Sequence, residues 1–406
     1  MDTILGGRFG GCDGMGAQQS RVGIFAACFL VSVGANAYMI APASIVPLLE
    51  AAFGIDKASA GLAISAAVLG SVLVQLPFGY LMDHYDNRRL MTLGTVVFAP
   101  VAIVGSFAGT YPLFLLTRAV AGIAGGALFV LSTNVVAQVY SGPRQGFVTT
   151  VFIASAPLGF AISQFGGPIV ASVFGWATVF IVSPLLSAVG YLVFRLSQPT
   201  SIQTGDQITF SEFGDALRNR SVLLVSLSGF CSYLLYIFMN SWMPTYATER
   251  LPLSLGEAGA ITAILPAIGM VARPVGGWLS DYVGYRRRLV VVCSLAFALP
   301  AFFVVSRSIS TVLFSIILLG VGFSLQFGMG VYYVYTRELA ATGSGGTSLA
   351  VFTSVAFTGT LVSPTLGGWL IGAFSWETTF LLYACIGIAG IGVLFLTGDS
   401  SPTPIE

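Results

Sequence analysis

The chain has 406 residues, of which 56% are apolar and only 8% charged, with a net charge of +1 and a mean hydropathy of +0.90. A soluble globular protein carries roughly 25% charged residues, so this chain cannot cover a water-facing surface of its size, and its solvent must be lipid. Nucleic-acid binding is not expected, because the basic residues cluster on no long soluble face.

Five cysteines, Cys12, Cys28, Cys231, Cys293 and Cys385, are odd in number and mostly sit in apolar runs. They show no CxxC or Cys/His spacing, so neither a disulfide framework, a metal site nor a cofactor is expected. Residues 1–20 are rich in glycine without an apolar core, which argues against a cleavable signal peptide and reads as a cytoplasmic tail. A spanning helix needs ~20 apolar residues, and runs of that length recur along the chain without the period-two alternation of barrel strands. The expected fold is an all-α polytopic membrane protein of twelve transmembrane helices in two pseudo-symmetric six-helix bundles.

Taken in order, helix 1 (residues 22–48) carries Asn36 and Tyr38 near mid-depth, and helix 2 (59–82) carries Gln75. Helix 2 runs into PFGYLMDHYDNRRL, from Pro77 to Leu90. Helix 3 (90–108) is almost free of polar residues at depth. Helix 4 (112–138) carries Arg118 about six residues, or ~9 Å, from its start, a depth from which the side chain can snorkel to the outer interface. Gln164 lies in helix 5 (146–172), and helix 6 (176–195) completes residues 21–196 as a first bundle. Residues 197–220 form the longest polar interruption, read as a cytoplasmic linker with a short surface helix capped by Ser211. The second bundle, 221–397, holds helix 7 (221–246) with Asn240, helix 8 (257–281) with Arg273, helix 9 (289–306), helix 10 (310–334) with Gln326, helix 11 (346–373) and helix 12 (376–397). Residues 398–406 are a second cytoplasmic tail.

With both termini in the cytoplasm, twelve arginines (8, 21, 88, 89, 144, 195, 218, 220, 286, 287, 288 and 337) face inward. Only Lys57, Arg250 and Arg307 face outward, so the positive-inside rule selects this topology. The halves also repeat. At an offset of 198, Gly79, Leu81, Asp83, Arg88 and Arg89 pair with Gly277, Leu279, Asp281, Arg286 and Arg287. At an offset of 200, Gly159, Ser163, Gly167, Phe174, Trp176, Thr178 and Phe180 pair with Gly359, Ser363, Gly367, Phe374, Trp376, Thr378 and Phe380. Two similar halves in one orientation suit a carrier whose central site opens alternately to either side.

On these motifs the chain resembles the major facilitator superfamily of secondary transporters. The family pattern G-x-x-x-D-x-x-G-R-[KR] reads as Gly79, Asp83, Arg88 and Arg89, with Asp86 in place of the second glycine, and again as Gly277, Asp281, Gly284, Arg286 and Arg287. Helix 4 carries its R-x-x-x-G pattern as Arg118 and Gly122. An aspartate at a helix end followed by arginines can pair with a neighbouring helix end and latch the cytoplasmic face; the simpler reading is a topology signal. Gly79 and Gly277 are expected to let a neighbouring helix approach closely.

Ionisable residues at mid-membrane are costly and usually functional. Arg273 stands eight residues before Asp281, ~12 Å from the helix end, and needs an anion, carbonyls or water as partners. ARP at this place is similar to the anion-binding arginine of the nitrate/nitrite, monocarboxylate and oxalate/formate carriers of the superfamily. Gln75 takes the place of the second arginine of the nitrate/nitrite carriers, so nitrate itself is not implied. Every Asp and Glu lies at a helix end, loop or tail, which disfavours a carboxylate proton relay, and His84 reads as a loop residue. The expected function is transport of a small anionic, carboxylate-type solute, with Arg273 as counter-charge. Gln75, Asn36, Tyr38, Gln164, Asn240, Gln326 and Arg118 are the other candidate substrate contacts. Gly79, Asp83, Arg88, Arg89, Gly277, Asp281, Arg286 and Arg287 are the candidate gate. The alternatives are an efflux pump for apolar compounds, whose helix 5 Gly-Pro signature is lost at Ser163-Gln164, and a non-transporting receptor. No enzyme constellation can be assembled. A monomer in the plasma membrane, with the bilayer and a small molecule as its partners, is expected.

Overall fold

The computed structural model describes residues 10–140, 145–197, 218–283, 287–305, 310–340 and 345–397. Among the described residues, twelve helices are long and apolar enough to cross a membrane. We label them α1 to α12. In the first half, α1 runs Gly10–Ile40, passes through a 3-10 turn, Ala41–Ile45, and resumes as Val46–Phe53. It is followed by α2 (Lys57–His84), α3 (Asn87–Ser106), α4 (Tyr111–Val139), α5 (Gln145–Ile153, resuming as Ser155–Phe174) and α6 (Trp176–Leu196). The second half holds α7 (Arg220–Arg250), α8 (Leu255–Thr262, Ile264–Ala267 and Gly269–Val283), α9 (Arg287–Val305), α10 (Thr311–Leu339), α11 (Gly345–Ala373) and α12 (Trp376–Phe395).

The predicted spans agree with these to within about five residues, except that α1 starts at Gly10 and not at the predicted 22, but three are not continuous helices. Pro42 sits in the 3-10 turn of α1 and Pro266 in the middle piece of α8. A proline has no amide hydrogen, so the carbonyl four residues earlier, of Tyr38 or Thr262, loses its helical donor. Helix starts are held by the expected chemistry: Asp56 accepts from the Ser59 amide at α2, Asn219 from Ser221 and Val222 at α7, and Ser254 with Glu257 forms a capping box at α8. Each supplies an acceptor to an amide with no partner inside its helix. Most of the predicted linker, including its Ser211-capped helix, residues 1–9 and the whole of the C-terminal tail lie outside the described residues, while 10–20 of the predicted N-terminal tail form the start of α1.

The internal repeat is visible in space. Phe114, Trp176 and Phe180 pack edge to face in the first half, with Phe53 against Phe114 and Trp176. Two hundred positions on, Phe314, Trp376 and Phe380 surround Tyr246 in the second. Each half has its own core, and the second also takes in Ile40, Val46, Ala60 and Ile64, where α1 and α2 lean across the interface. Lipid tails are as apolar as these side chains, so the clusters hold the bundles by close packing rather than by transfer from water. Each aromatic pair contributes about 0.5–1.5 kcal/mol.

The halves are joined toward the face away from the termini. There Lys57 Nζ lies 2.6 Å from Glu249 Oε1, and Trp376 Nε1 donates to Glu249 Oε2 at 2.9 Å. Two turns deeper, Ser65 Oγ donates to the Leu361 carbonyl and accepts from Thr365 Oγ1. Between them α2 and α11 touch backbone to backbone: a Cβ on Gly61 would stand 2.3 Å from the Pro364 carbonyl oxygen, and one on Gly368 2.2 Å from that of Lys57. On the other side of the interface, Gly259 of α8 abuts the Gln164 carbonyl and Pro168 of α5.

Gly61→Val should prise α2 from α11 and raise thiol labelling of a Ser65→Cys reporter in a cysteine-free background. Lys57→Met, by contrast, removes a partly exposed ion pair of about 0.2–1 kcal/mol and leaves the bond from Trp376 to Glu249 in place. It should raise labelling of the same reporter by no more than about fivefold. Equal effects would mean that the charges, not the glycine contacts, close this face.

Candidate functional site

The site is built on the break in α8. Gln326 of α10, fully buried, donates its Nε2 to the carbonyls of Leu265 and Pro266, both at 3.2 Å. Carbonyls only accept, so these bonds fix which end of the amide is nitrogen. Gly269 makes room for it, because a Cβ there would lie 2.0 Å from Nε2. The opposite end, Oε1, accepts from Arg273 Nε at 2.9 Å. One amide thus patches the broken helix and aims the arginine one turn further on.

Arg273 is half-buried, and its second described polar contact is a weak one from Nη2 to Met329 Sδ at 4.0 Å. Among the described residues no carboxylate pairs with it. Around it stand tyrosines: Tyr233 and Tyr236 of α7 lie within electrostatic reach of the guanidinium, and Tyr233 Oη shares a 3.0 Å hydrogen bond with Tyr333 Oη of α10. One turn beyond Tyr236, Asn240 donates Nδ2 to the Tyr236 carbonyl at 2.8 Å. Its own carbonyl oxygen accepts from Gln164 Nε2 of α5 at 2.9 Å, with Asn240 Oδ1 at 3.3 Å. A polar chain therefore crosses mid-membrane from α10 through α8 and α7 to α5 in the other half. Two of its fully buried atoms, Tyr236 Oη and Gln164 Oε1, have no hydrogen-bond partner.

Of the sequence-predicted contacts, the structure brings together Arg273, Gln326, Asn240 and Gln164. Asn36 donates to the carbonyl of Ser32 one turn earlier in its own helix, and Tyr38 packs against Phe98 and Phe180 inside the first bundle. Arg118 does not snorkel. It is fully buried and donates to three carbonyls, of Ala63 (3.0 Å), Tyr38 (2.6 Å) and Met39 (2.7 Å), with its guanidinium 4.4 Å above the Tyr38 ring. The side chain of Gln75 lies outside what is described. Sequence reasoning missed Tyr233, Tyr236 and Tyr333, although Tyr233, Tyr236 and Asn240 fall at the i, i+3, i+7 spacing of one helix face.

The predicted gate is only partly engaged as expected. Arg88 forms an ion pair with Asp86 of its own loop at 2.6 Å, and this hydrogen-bonded partner holds the Asp86 carboxyl below the usual carboxylate range. Arg287 pairs at 2.6 Å with Glu338 at the end of α10, within one half. Arg89 is exposed. The Cβ position of Gly277 is open, with nothing within 4 Å, so no neighbouring helix requires a glycine there, although its backbone amide lies beside Gly330. The close approach is made by Gly276 on the Phe327 carbonyl and by Gly330 on that of Arg273, because those two face the α8–α10 seam. The side chains of Asp83 and Asp281, and Gly79, are outside the description, and Arg286 lies outside the described residues. No group of three or more His, Cys, Asp or Glu that could hold a metal occurs among the described residues.

Two six-helix halves, closed toward one face around a mid-membrane polar cluster, define a membrane transporter and not an enzyme. The chain belongs to the Major Facilitator Superfamily, whose sequence profile matches residues 25–357. It is 29% identical over 249 residues to a "Probable nitrate/nitrite antiporter NarK1" of Thermus thermophilus, covering 58% of this chain and 56% of that one, so the match spans little more than half of that relative. It is 23% identical to a "Probable sulfoacetate transporter SauU" of Cupriavidus necator, over 86% of this chain and 87% of that one. In fold it is similar to a bacterial homolog of the human lysosomal transporter Spinster in an inward-facing, occupied conformation, with a TM-score of 0.78 at 14% identity, covering 93% of this chain and 96% of that one.

Proposed function

We propose that this chain is a carrier for a small, carboxylate-type anion, working by alternating access in the plasma membrane as a monomer with both termini in the cytoplasm. The observation that carries the reading is Arg273: a permanent cation at mid-span, held by a neutral amide and a thioether, with no carboxylate among the described residues to balance it. Placing such a charge in a membrane is unfavourable by about 2.5–3.5 kcal/mol, and a bound anion offsets that cost. Relatives named for nitrate/nitrite, sulfoacetate and L-galactonate support a small anion, and the last two ligands are carboxylates. The seam of α2–α11 and α5–α8 then faces outside, which makes the described state closed to the exterior. The test is uptake into proteoliposomes of a panel of small anions beside neutral solutes and an apolar dye. Anion uptake that depends on Arg273 supports the reading; dye transport without anion transport would replace it with an efflux pump.

A further inference from the structure

Resting on that anion reading, we infer that the transported anion also carries a hydrogen-bond donor, a hydroxyl group, which binds the unpartnered oxygen of Gln164. Gln164 is fully buried, and its amide orientation is settled because Nε2 faces the main-chain carbonyl of Asn240, which can only accept. Its Oε1 is therefore an acceptor, and it has no donor. A buried acceptor left bare costs about as much as a lost hydrogen bond. Neither Asn240 nor Tyr236 relieves it: Asn240 Nδ2 is committed to the Tyr236 carbonyl, and Tyr236 Oη is itself without a partner.

The two bare atoms differ in what they can take. Tyr236 Oη lies beside Arg273 and can donate, so the pair suits an anionic head group. Gln164 Oε1 can only accept, so it suits O–H and repels a second carboxylate oxygen. Their anchor points on α7, Tyr236 and Asn240, are one turn apart, on the order of 6 Å. Both therefore fall within the reach of one small ligand, and the assignment selects hydroxy acids over their deoxy counterparts and over dicarboxylates. It also ties the ligand to both halves, since Arg273 belongs to the second and Gln164 to the first.

Matched probes decide it: glycolate against acetate, and isethionate against ethanesulfonate, whose permanent charge prevents passive leak. In proteoliposomes the wild-type protein should take up the hydroxylated member of each pair about tenfold better, the effect of one neutral hydrogen bond. Gln164→Leu should reduce that ratio to about one, whatever it does to the absolute rates, since only the hydroxyl contact distinguishes the members of a pair, and Arg273→Ala should abolish uptake of all four. Should the leucine variant fail to fold, Gln164→Met serves, and the wild-type ratio stands as a readout by itself. Equal uptake within both pairs, still dependent on Arg273, would overturn the hydroxyl inference and leave the anion reading intact. Absence of uptake of any of the four, or uptake indifferent to Arg273, would overturn both.

Discussion

Arg273→Ala is expected to weaken anion binding by roughly 30-fold to several-thousand-fold without loosening the ligand-free protein. Truncating one partner of a buried, hydrogen-bonded charge pair costs about 2–5 kcal/mol, and each 1.4 kcal/mol is tenfold in affinity. In the ligand-free state the balance differs. The variant strands Gln326 Oε1, a loss of about 1–3 kcal/mol, but relieves a mid-membrane cation of about 2.5–3.5 kcal/mol. Its apparent melting temperature should therefore stay level or rise, while the stabilisation that an added anion gives the parent by mass action disappears. Arg273→Lys keeps the charge but loses the Nε that Gln326 grips, so its affinity should fall about tenfold, between parent and alanine. A variant that melts lower and still transports anions would make Arg273 a tie between α8 and α10 instead of a binding residue.

Much of this was legible in the sequence for a physical reason: in lipid, a span must be a helix of sufficient apolar length, so composition and run length dictate the architecture. The offset repeats supplied the two halves. What stayed hidden was where helices break. Pro100, Pro168, Pro184, Pro244, Pro274, Pro300 and Pro364 lie inside unbroken helical stretches, whereas Pro42 and Pro266 coincide with interruptions. Local chemistry is the same in both sets. Tertiary partners do not separate them either: the freed carbonyls near Pro42 meet Arg118 and those near Pro266 meet Gln326, but the Asn240 carbonyl, freed by Pro244 in the unbroken α7, likewise meets Gln164. The tyrosines around Arg273 were equally hard to single out, because a polar tip on an apolar ring reads the same in a binding cluster as in the fifteen-tyrosine background of this chain. Arg273 and Gln326 were found because charge and amide at mid-span are rare enough to stand out.

Arg118 provides the sharpest contrast, and Arg118→Met should behave in the opposite way to Arg273→Ala. The guanidinium occupies the place where α1 loses its own hydrogen bonding: Pro42 cannot donate to the Tyr38 carbonyl, and the change to 3-10 spacing over Ala41–Ile45 displaces the donors that follow. Its Nη1 and Nη2 take up the carbonyls of Tyr38 and Met39, its Nε reaches Ala63 of α2, and the Tyr38 and Phe180 rings flank it. Methionine fills the volume but leaves three buried acceptors without donors, about 1–3 kcal/mol each, and relieving the cation returns only about 2.5–3.5 kcal/mol, for a net loss of about 3 kcal/mol. At about 2–4 °C per kcal/mol for units of 150–250 residues, the apparent melting temperature should drop by about 6–12 °C. Arg118→Lys should recover little, since an ammonium is a point charge and cannot span three carbonyls set around a planar fork. Anion affinity in whatever fraction remains folded should be unchanged, because Arg118 makes none of the contacts that surround Arg273. If Arg118→Met instead kept its stability and lost transport, the arginine would have to leave its carbonyls during the cycle, and the α1 turn would be a moving part rather than a fixed one.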